Sequence, residues 1–198
     1  MLRDGYTDIP PGKIASIVTY LDMTRRPPAR DLPPPGGFAL APLRADHLRR
    51  YRAVYRAVGE PWLWFGRLGL GDDALAAILG DADVAAFAAV RDGRDIGLLE
   101  LDFRTTAEGE IVYFGLVPEA IGGGAGRWLM ERALELAWAR PIKRLMVHTC
   151  SLDHPAALDF YIRSGFRPYK RAVEVGDDPR LTGALPRAAA PHVPLLEG

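Results

Sequence analysis

Apolar and polar positions divide the chain into two proline-punctuated ends and a central stretch of alternating strand and helix periods. Pro10, Pro11, Pro27, Pro28, Pro33, Pro34 and Pro35 precede Gly36, and Pro179, Pro186, Pro191 and Pro194 fall near the end. Each proline holds its own φ and pushes its predecessor toward extended geometry, which excludes long helix at either end. Between the early prolines, the β-branched and aromatic run Ile17-Val-Thr-Tyr20 predicts a strand over Ile14–Met23, added to the main body and free to pair within the chain or across a dimer. From Gly37 the periods change. Phe38–Leu43 predicts a strand, and Leu48, Tyr51, Val54 and Tyr55 recur at helical spacing over about 45–58. Asp72–Leu79 predicts a short helix with acids in its first turn, where they complement the helix dipole. Val84–Val90 and Ile96–Phe103 predict a hairpin about Asp92-Gly93. Ile111–Val117 is apolar on both faces and reads as a central strand. A glycine-rich turn, a helix over about 124–140 stopped by Pro141, a strand over Lys143–Cys150, a helix over Pro155–Arg163 and a strand over Phe166–Val175 complete the order.

Strand, helices, three antiparallel strands, helix, strand, helix, strand is the order of an α/β (α+β) domain: a mixed sheet with helices packed on it. The expected organisation is an N-terminal arm over residues 1–36 carrying the added strand, a domain over 37–176 and an irregular tail over 177–198.

Composition narrows the chemistry. The 198 residues carry 25 basic and 25 acidic side chains, which argues against a general nucleic-acid coat protein. The one cysteine, Cys150, excludes an internal disulfide and a four-cysteine zinc site, and four scattered histidines offer no ligand spacing, so no metal is expected. With a polar start and no apolar run near the length of a membrane span, a cytoplasmic protein with no membrane partner is the expectation. Charge is nonetheless uneven. Ile121–Arg171 holds nine basic residues against four acidic ones, whereas Met1–Ala120 holds 14 against 17.

The basic excess coincides with Gly122-Gly123-Gly124-Ala125-Gly126-Arg127, between the central strand and an amphipathic helix. Glycine alone allows a merely flexible turn. Its place before a helix suggests more: without Cβ atoms, successive N–H groups converge on an anion, and the helix N-terminus adds partial positive charge, as a pyrophosphate would require. No Gly-Lys-Ser/Thr follows for a Walker loop, and the third glycine of a dinucleotide fingerprint is missing. Arg127, Glu131 and Glu135 form a polar stripe at i, i+4, i+8, so Arg127 reads as a phosphate neighbour and as a solvated partner of Glu131, two compatible roles.

Downstream, Asp153 or His154 reads as a helix cap with Pro155 in the first turn. Phe160 and Tyr161 taken alone read as core aromatics. Together with the strand end Leu116-Val117-Pro118-Glu119, the glycine turn and the pattern Ala157-x-x-Phe160-Tyr161-x-x-x-Gly165-Phe166, they resemble the GCN5-related N-acetyltransferase family. The resemblance covers about 37–175. It implies a six- or seven-stranded, mostly antiparallel, splayed sheet with helices on both faces, and acetyl-coenzyme A (acetyl-CoA) held in the gap between the strands ending at Val117 and Cys150. It further implies transfer of the acetyl group to a small-molecule or peptide amine by direct attack. On it, Leu116 and Val117 would offer backbone groups to the pantetheine and the thioester oxygen. Gly122, Gly123, Gly124, Ala125, Gly126 and Arg127 would hold the pyrophosphate, and Tyr161 would meet the departing thiolate. The family usually has Arg or Gln where this chain has Ile121, and Asn at the pantetheine contact where it has His154.

For the base, Glu100 in the apolar run Leu98-Leu-Glu-Leu and His148 beside the splay are candidates; each also reads as structural, Glu100 as an ion-pair partner or edge residue and His148 as a satisfied core histidine. Trp62, Trp64 and Phe65 are candidate walls of an acceptor pocket, or simple packing of a long connection. A non-catalytic module binding CoA is the rival, against which the Tyr161 hydroxyl speaks.

Overall fold

The computed structural model describes residues 4–197. Its strands are β1 (Lys13–Met23), β2 (Phe38–Leu43), β3 (Val84–Arg91), β4 (Arg94–Asp102), β5 (Glu108–Leu116), β6 (Arg144–Cys150) and β7 (Arg167–Asp177). Its helices are α1 (Leu48–Gly59), α2 (Asp72–Gly80), α3 (Ala125–Trp138) and α4 (Ala157–Arg163). All seven strands form one mixed sheet in the order β2-β3-β4-β5-β6-β1-β7, antiparallel except for the β5–β6 pair.

Side-chain alternation on β4 supplies both faces of the core. Leu99 and Leu101 join Ile111, Leu129, Met130, Leu134, Leu145 and Phe166 under α3 and α4. Leu98 joins Tyr51, Val54, Tyr55, Val58, Leu75 and Leu79 under α1 and α2. The helices therefore lie on both faces. Each fully buried leucine of this kind contributes roughly 1.5–3 kcal/mol.

The strand expected as an addition lies inside the sheet. β1 runs antiparallel to β6 over Val18–Met23 and to β7 over Lys13–Asp22, so it is paired on both sides over Val18–Asp22 and on the β7 side alone over Lys13–Ile17. The helix expected from about 45 begins as a single 3-10 turn, Ala45–His47, and becomes α1 at Leu48. The helix expected from Pro155 begins at Ala157, because the chain first closes a tighter turn with the Ala157 N–H on the His154 carbonyl at 2.8 Å, and the first helical bond runs from the Phe160 N–H to the Ala156 carbonyl.

The polar stripe on α3 is only half solvated. Glu131 is buried, accepting from the Arg30 backbone N–H at 3.3 Å beneath the segment between β1 and β2, so it is not the partner of Arg127. After Asp177 the chain forms turns, yet it is anchored. Arg180 is buried against Asp178 and donates to the Val193 carbonyl at 2.8 Å, while Leu185, Ala189 and Ala190 pack on Leu63.

Candidate active site

The parallel β5–β6 pairing runs from Glu108↔Arg144 to Ile111↔Val147 and stops there. β5 continues to Leu116 against β4 and β6 continues to Cys150 against β1, so the two strands part and leave a cleft between them. The cleft encloses about 330 Å³. One wall comes from Val112–Leu116 of β5 and Ile121, the other from His148–Cys150 of β6, and the floor from Leu152–His154, Ala157 and Tyr161. Trp62, Trp64 and Phe65 close one side together with Tyr55 and Tyr113.

Gly122–Arg127 are not in the lining but follow Ile121 directly, and Gly122, Gly123 and Gly124 take φ of 100°, 56° and 87°. Three successive residues in this region are open only to glycine without strain. Among the described residues, the amides of Gly123, Gly124, Gly126 and Arg127 donate to no backbone carbonyl, whereas Ala125 and Trp128 donate to Gly122 and Gly124. The unengaged amides are those of a helix's first turn, where the dipole favours an anion. The exposed Arg127 side chain folds back toward the turn, its Nη2 lying 3.8 Å from where a Cβ on Gly124 would be. Gly126 differs: a Cβ there would lie at an ordinary contact distance of 3.7 Å from the Phe160 ring, so the helix packing leaves room for a methyl group.

On β5, the Val117 N–H donates to the Ile96 carbonyl at 2.9 Å. It is committed to the β4 ladder and cannot also serve a thioester oxygen, as the sequence suggested. Antiparallel strands alternate the direction of successive amides, so the Leu116 N–H points to the opposite side, toward the open gap.

Tyr161 is 6% exposed and lines the cleft, packed among Phe114, Phe160 and Phe166 at 5.8–6.1 Å between ring centres. Burial foremost, then the Asp153 charge, pushes its phenol well above the usual tyrosine range. It stays protonated and can donate. His154 also lines the cleft; its Nδ1 accepts the Ala156 N–H at 3.1 Å, which places its proton on Nε2, and its ring meets Trp62 edge-on at 5.2 Å. Trp62 in turn contacts His192 of the C-terminal segment at 5.7 Å.

Asp153, read from the sequence only as a helix cap, sits at the junction of all these parts. Its Oδ2 accepts from Thr149 Oγ1 and the Cys150 N–H, both at 2.8 Å, and its Oδ1 accepts from Trp64 Nε1 at 3.0 Å. A bond spanning 89 residues has no local signal, and the Asp-His-Pro sequence offered a sufficient local explanation that hid it. Beside it, Cys150 is held above the usual thiol range by burial and by the Asp153 charge, the reverse of an activated nucleophile.

The two base candidates separate. His148 lines the cleft, its Nδ1 3.3 Å from Glu110 Oε1 and its ring 5.7 Å from Tyr20. The hydrogen bond to Glu110 raises its pKa above 6.5; burial opposes this, and the Glu110, Asp153 and Glu174 charges add to it. Glu100 does not line the cleft. It is fully buried between α1 and the loop after Trp64, where Oε1 accepts from Arg67 Nη2 at 2.6 Å and Oε2 from the Tyr51 hydroxyl. Its place as a base is corrected accordingly: both oxygens are occupied, because a carboxylate forced into this face needs a cation and a donor to be tolerated there. The same knot supports the acceptor wall, since the Arg67 guanidinium stands 5.2 Å from the centre of the Tyr113 ring, itself packed on Tyr55 and Trp64. Tyr113, Glu174 and Asp177 are cleft residues that sequence patterning missed.

Among the described residues, no group of three or more His, Cys, Asp and Glu side chains is arranged to hold a metal ion, and no helix is long and apolar enough to cross a membrane.

Residues 49–166 match the model of the acetyltransferase (GNAT) family. The sequence matches no curated protein. Similar solved structures include a GCN5-related N-acetyltransferase from Sphaerobacter thermophilus, with TM-score 0.58, 18% identity, and coverage of 82% of this chain and 52% of that one. A functionally unknown conserved protein from Staphylococcus epidermidis gives TM-score 0.57 and 15% identity over 84% of this chain and 63% of its own. The chain thus spans less than two thirds of the length of both. An aminoglycoside acetyltransferase from an uncultured soil metagenomic sample, in complex with sisomicin, gives TM-score 0.56 and 14% identity over 65% of this chain and 88% of its own. Identities this low speak for the fold alone.

Proposed function

We propose that this chain, which belongs to the acetyltransferase (GNAT) family and is an acyltransferase, moves an acetyl group from acetyl-CoA to a primary amine by direct attack within a ternary complex. The observation that carries this reading is the parting of β5 and β6 into a cleft that reaches Ile121, the residue before the glycine turn and its unengaged helix-start amides, and that is bordered by the Asp153–Trp64 junction. Acetyl-CoA is a substrate that brings an activated thioester and an anionic pyrophosphate. The amides of Gly123, Gly124, Gly126 and Arg127 suit the pyrophosphate, and the basic excess over Ile121–Arg171 suits its charge. The gap-facing Leu116 N–H is the donor proposed for the oxyanion that forms when nitrogen attacks the carbonyl. An intracellular donor makes the cytoplasm the proposed place of action.

The acceptor is proposed to be cationic before it reacts. Asp153 and Glu174 line the cleft with aromatic rings of Trp62, Trp64 and Phe65 and no Lys or Arg does, while Asp177, also in the lining, is paired with Lys13 at 2.6 Å. A protonated amine meets both charge and π-faces there. It must shed its proton to attack, and neutral His148 on the β6 wall is the proposed base, directly or through water. Bond formation from nitrogen to the acetyl carbon is followed by loss of the second nitrogen proton to solvent and by expulsion of the thiolate as the carbon–sulfur bond breaks. Tyr161 then acts as hydrogen-bond donor to sulfur. A tyrosine already weaker as an acid than a thiol, and made weaker by burial, stabilises the leaving sulfur chiefly without giving up its proton.

The test couples calorimetric titration with acetyl-CoA to thiol-release assays over a panel of mono- and polyamines. Micromolar binding with turnover on cationic amines is expected, and Tyr161→Phe lowers kcat by about a hundredfold or less, no more than the lower end of the range for general acids. Absence of acetyl-CoA binding would refute the reading.

A further inference from the structure

β7 ends the sheet, and among the described residues its backbone pairs only with β1. Nine of its eleven residues are exposed, including Tyr169 at 46%, Val173 at 41% and Val175 at 51%. The opposite edge, β2, is six residues long and carries Pro42, a common protection against strand addition. β7 has no proline after Pro168 and is long enough to accept another strand.

Its charges are divided. Arg167, Lys170 and Arg171 occupy the first half, Glu174 and Asp177 the second. Two copies of such a strand attract when antiparallel and repel when parallel. A two-fold axis normal to the sheet keeps each side chain on its own face, so only registers that bring residues of like parity opposite one another are open along the regular stretch Lys170–Asp177. Centring on Ala172 sets Lys170 opposite the partner's Glu174, and Glu174 opposite the partner's Lys170, with the small alanine on the axis. Moving the axis to Arg171 puts two arginines against each other, and moving it to Val173 leaves both pairs unmade. The pattern thus selects one register.

We propose that β7 pairs with β7 of a second copy of this chain, antiparallel through Ala172, joining two sheets into one. Lys170 and Glu174 lie on the face that bears the cleft, since Lys170 Nζ stands 4.7 Å over Tyr20 and Glu174 lines the cleft. On the other face, Val173 and its cross-strand neighbour Ile17, 48% exposed, supply apolar area beside the seam. The pairing also brings the partner's Lys170 to the rim of the acceptor cleft, where it offsets the lining carboxylate of Glu174. β1 cannot serve as the shared edge, since it lies between β6 and β7 in the sheet.

Light scattering after size exclusion, and sedimentation over the micromolar range, read the result on the full chain. Twice the chain mass is expected. Lys170→Glu and Glu174→Lys each set like charges opposite one another and raise the dimer dissociation constant about tenfold or more. The double variant restores the attraction and the dimer. Circular dichroism and Tm verify that each variant is folded, and hydrogen exchange on the unsubstituted chain needs no variant: β7 amides gain protection as concentration rises. A monomer throughout the range, a dimer indifferent to both reversals, a double variant that fails to recover, or β7 amides equally protected at all concentrations overturns the proposal.

Discussion

Glu100 and Asp153 are both carboxylates withdrawn from solvent, and the structure uses them oppositely. Glu100 lies wholly within the α1 face, its two oxygens taken by Arg67 and Tyr51. Asp153 borders the cleft, its oxygens taken by neutral donors from β6 and from the Trp64 loop. The first charge is neutralised by a cation within its own knot. The second is solvated by dipoles alone, so its field reaches outward: it helps raise the pKa values of Tyr161, Cys150 and His148. Burial therefore does not identify a catalytic carboxylate. What matters is whether its charge has already been spent on a neighbour.

Removing Glu100 sharpens the contrast most. Glu100→Ala strands the Arg67 guanidinium, one of whose nitrogens, Nε, already lacks a partner, and unfolding in denaturant is expected to show a loss of about 3–5 kcal/mol. The folded fraction retains its pH profile, because the carboxylate reaches no reacting atom. A pH profile that changed with Glu100→Gln would break the distinction. Asp153→Ala runs the other way. Loss of a charged acceptor of three hydrogen bonds, at about 1–3 kcal/mol for such a bond, predicts a fall of about a hundredfold in kcat/KM for the amine. The KM for acetyl-CoA moves far less, since the glycine turn lies elsewhere. Steady-state kinetics with each substrate varied distinguish the two constants.

The smallest effect concerns His148, whose folded pKa lies above 6.5 chiefly through Glu110. Its proton is favoured in the folded state, so the pairing supports stability fully below the ordinary histidine pKa and loses that support as pH rises through the raised value. Its use as a base follows the opposite course, appearing only above that value. The kcat/KM profile is expected to climb through an inflection above pH 6.5. Glu110→Gln shifts the inflection downward by removing the largest cause, while Asp153, Glu174 and the Tyr20 ring still face the imidazole. His148→Gln abolishes the inflection, and its persistence would assign it to another group.

Much of the architecture was legible in local patterns. The strand and helix order from Phe38 to β7, the hairpin about Asp92-Gly93 and the glycine turn before α3 all appear where periodicity and turn chemistry predict them. Trp62, Trp64, Phe65, Tyr161, His148 and His154 were each singled out in the sequence and all line one cleft. Other expectations met competitors from distant parts of the chain. The amide of Val117 was claimed by Ile96, the side chain of Glu131 by the Arg30 backbone, and Glu100 by Arg67 from the loop after Trp64.

The division has a physical cause. Sterics within a few residues decide that Gly122–Gly124 can turn through positive φ, that a proline ends α3, and that alternation gives β4 two different faces. Those were determined by the amino-acid sequence alone. Hydrogen bonds such as Trp64 to Asp153 connect residues that no local preference brings together, and they form only once the sheet has chosen its strand order. Tertiary structure alone decided that β1 enters between β6 and β7, that β5 and β6 part after Ile111, and which of two carboxylates was left bordering the cleft.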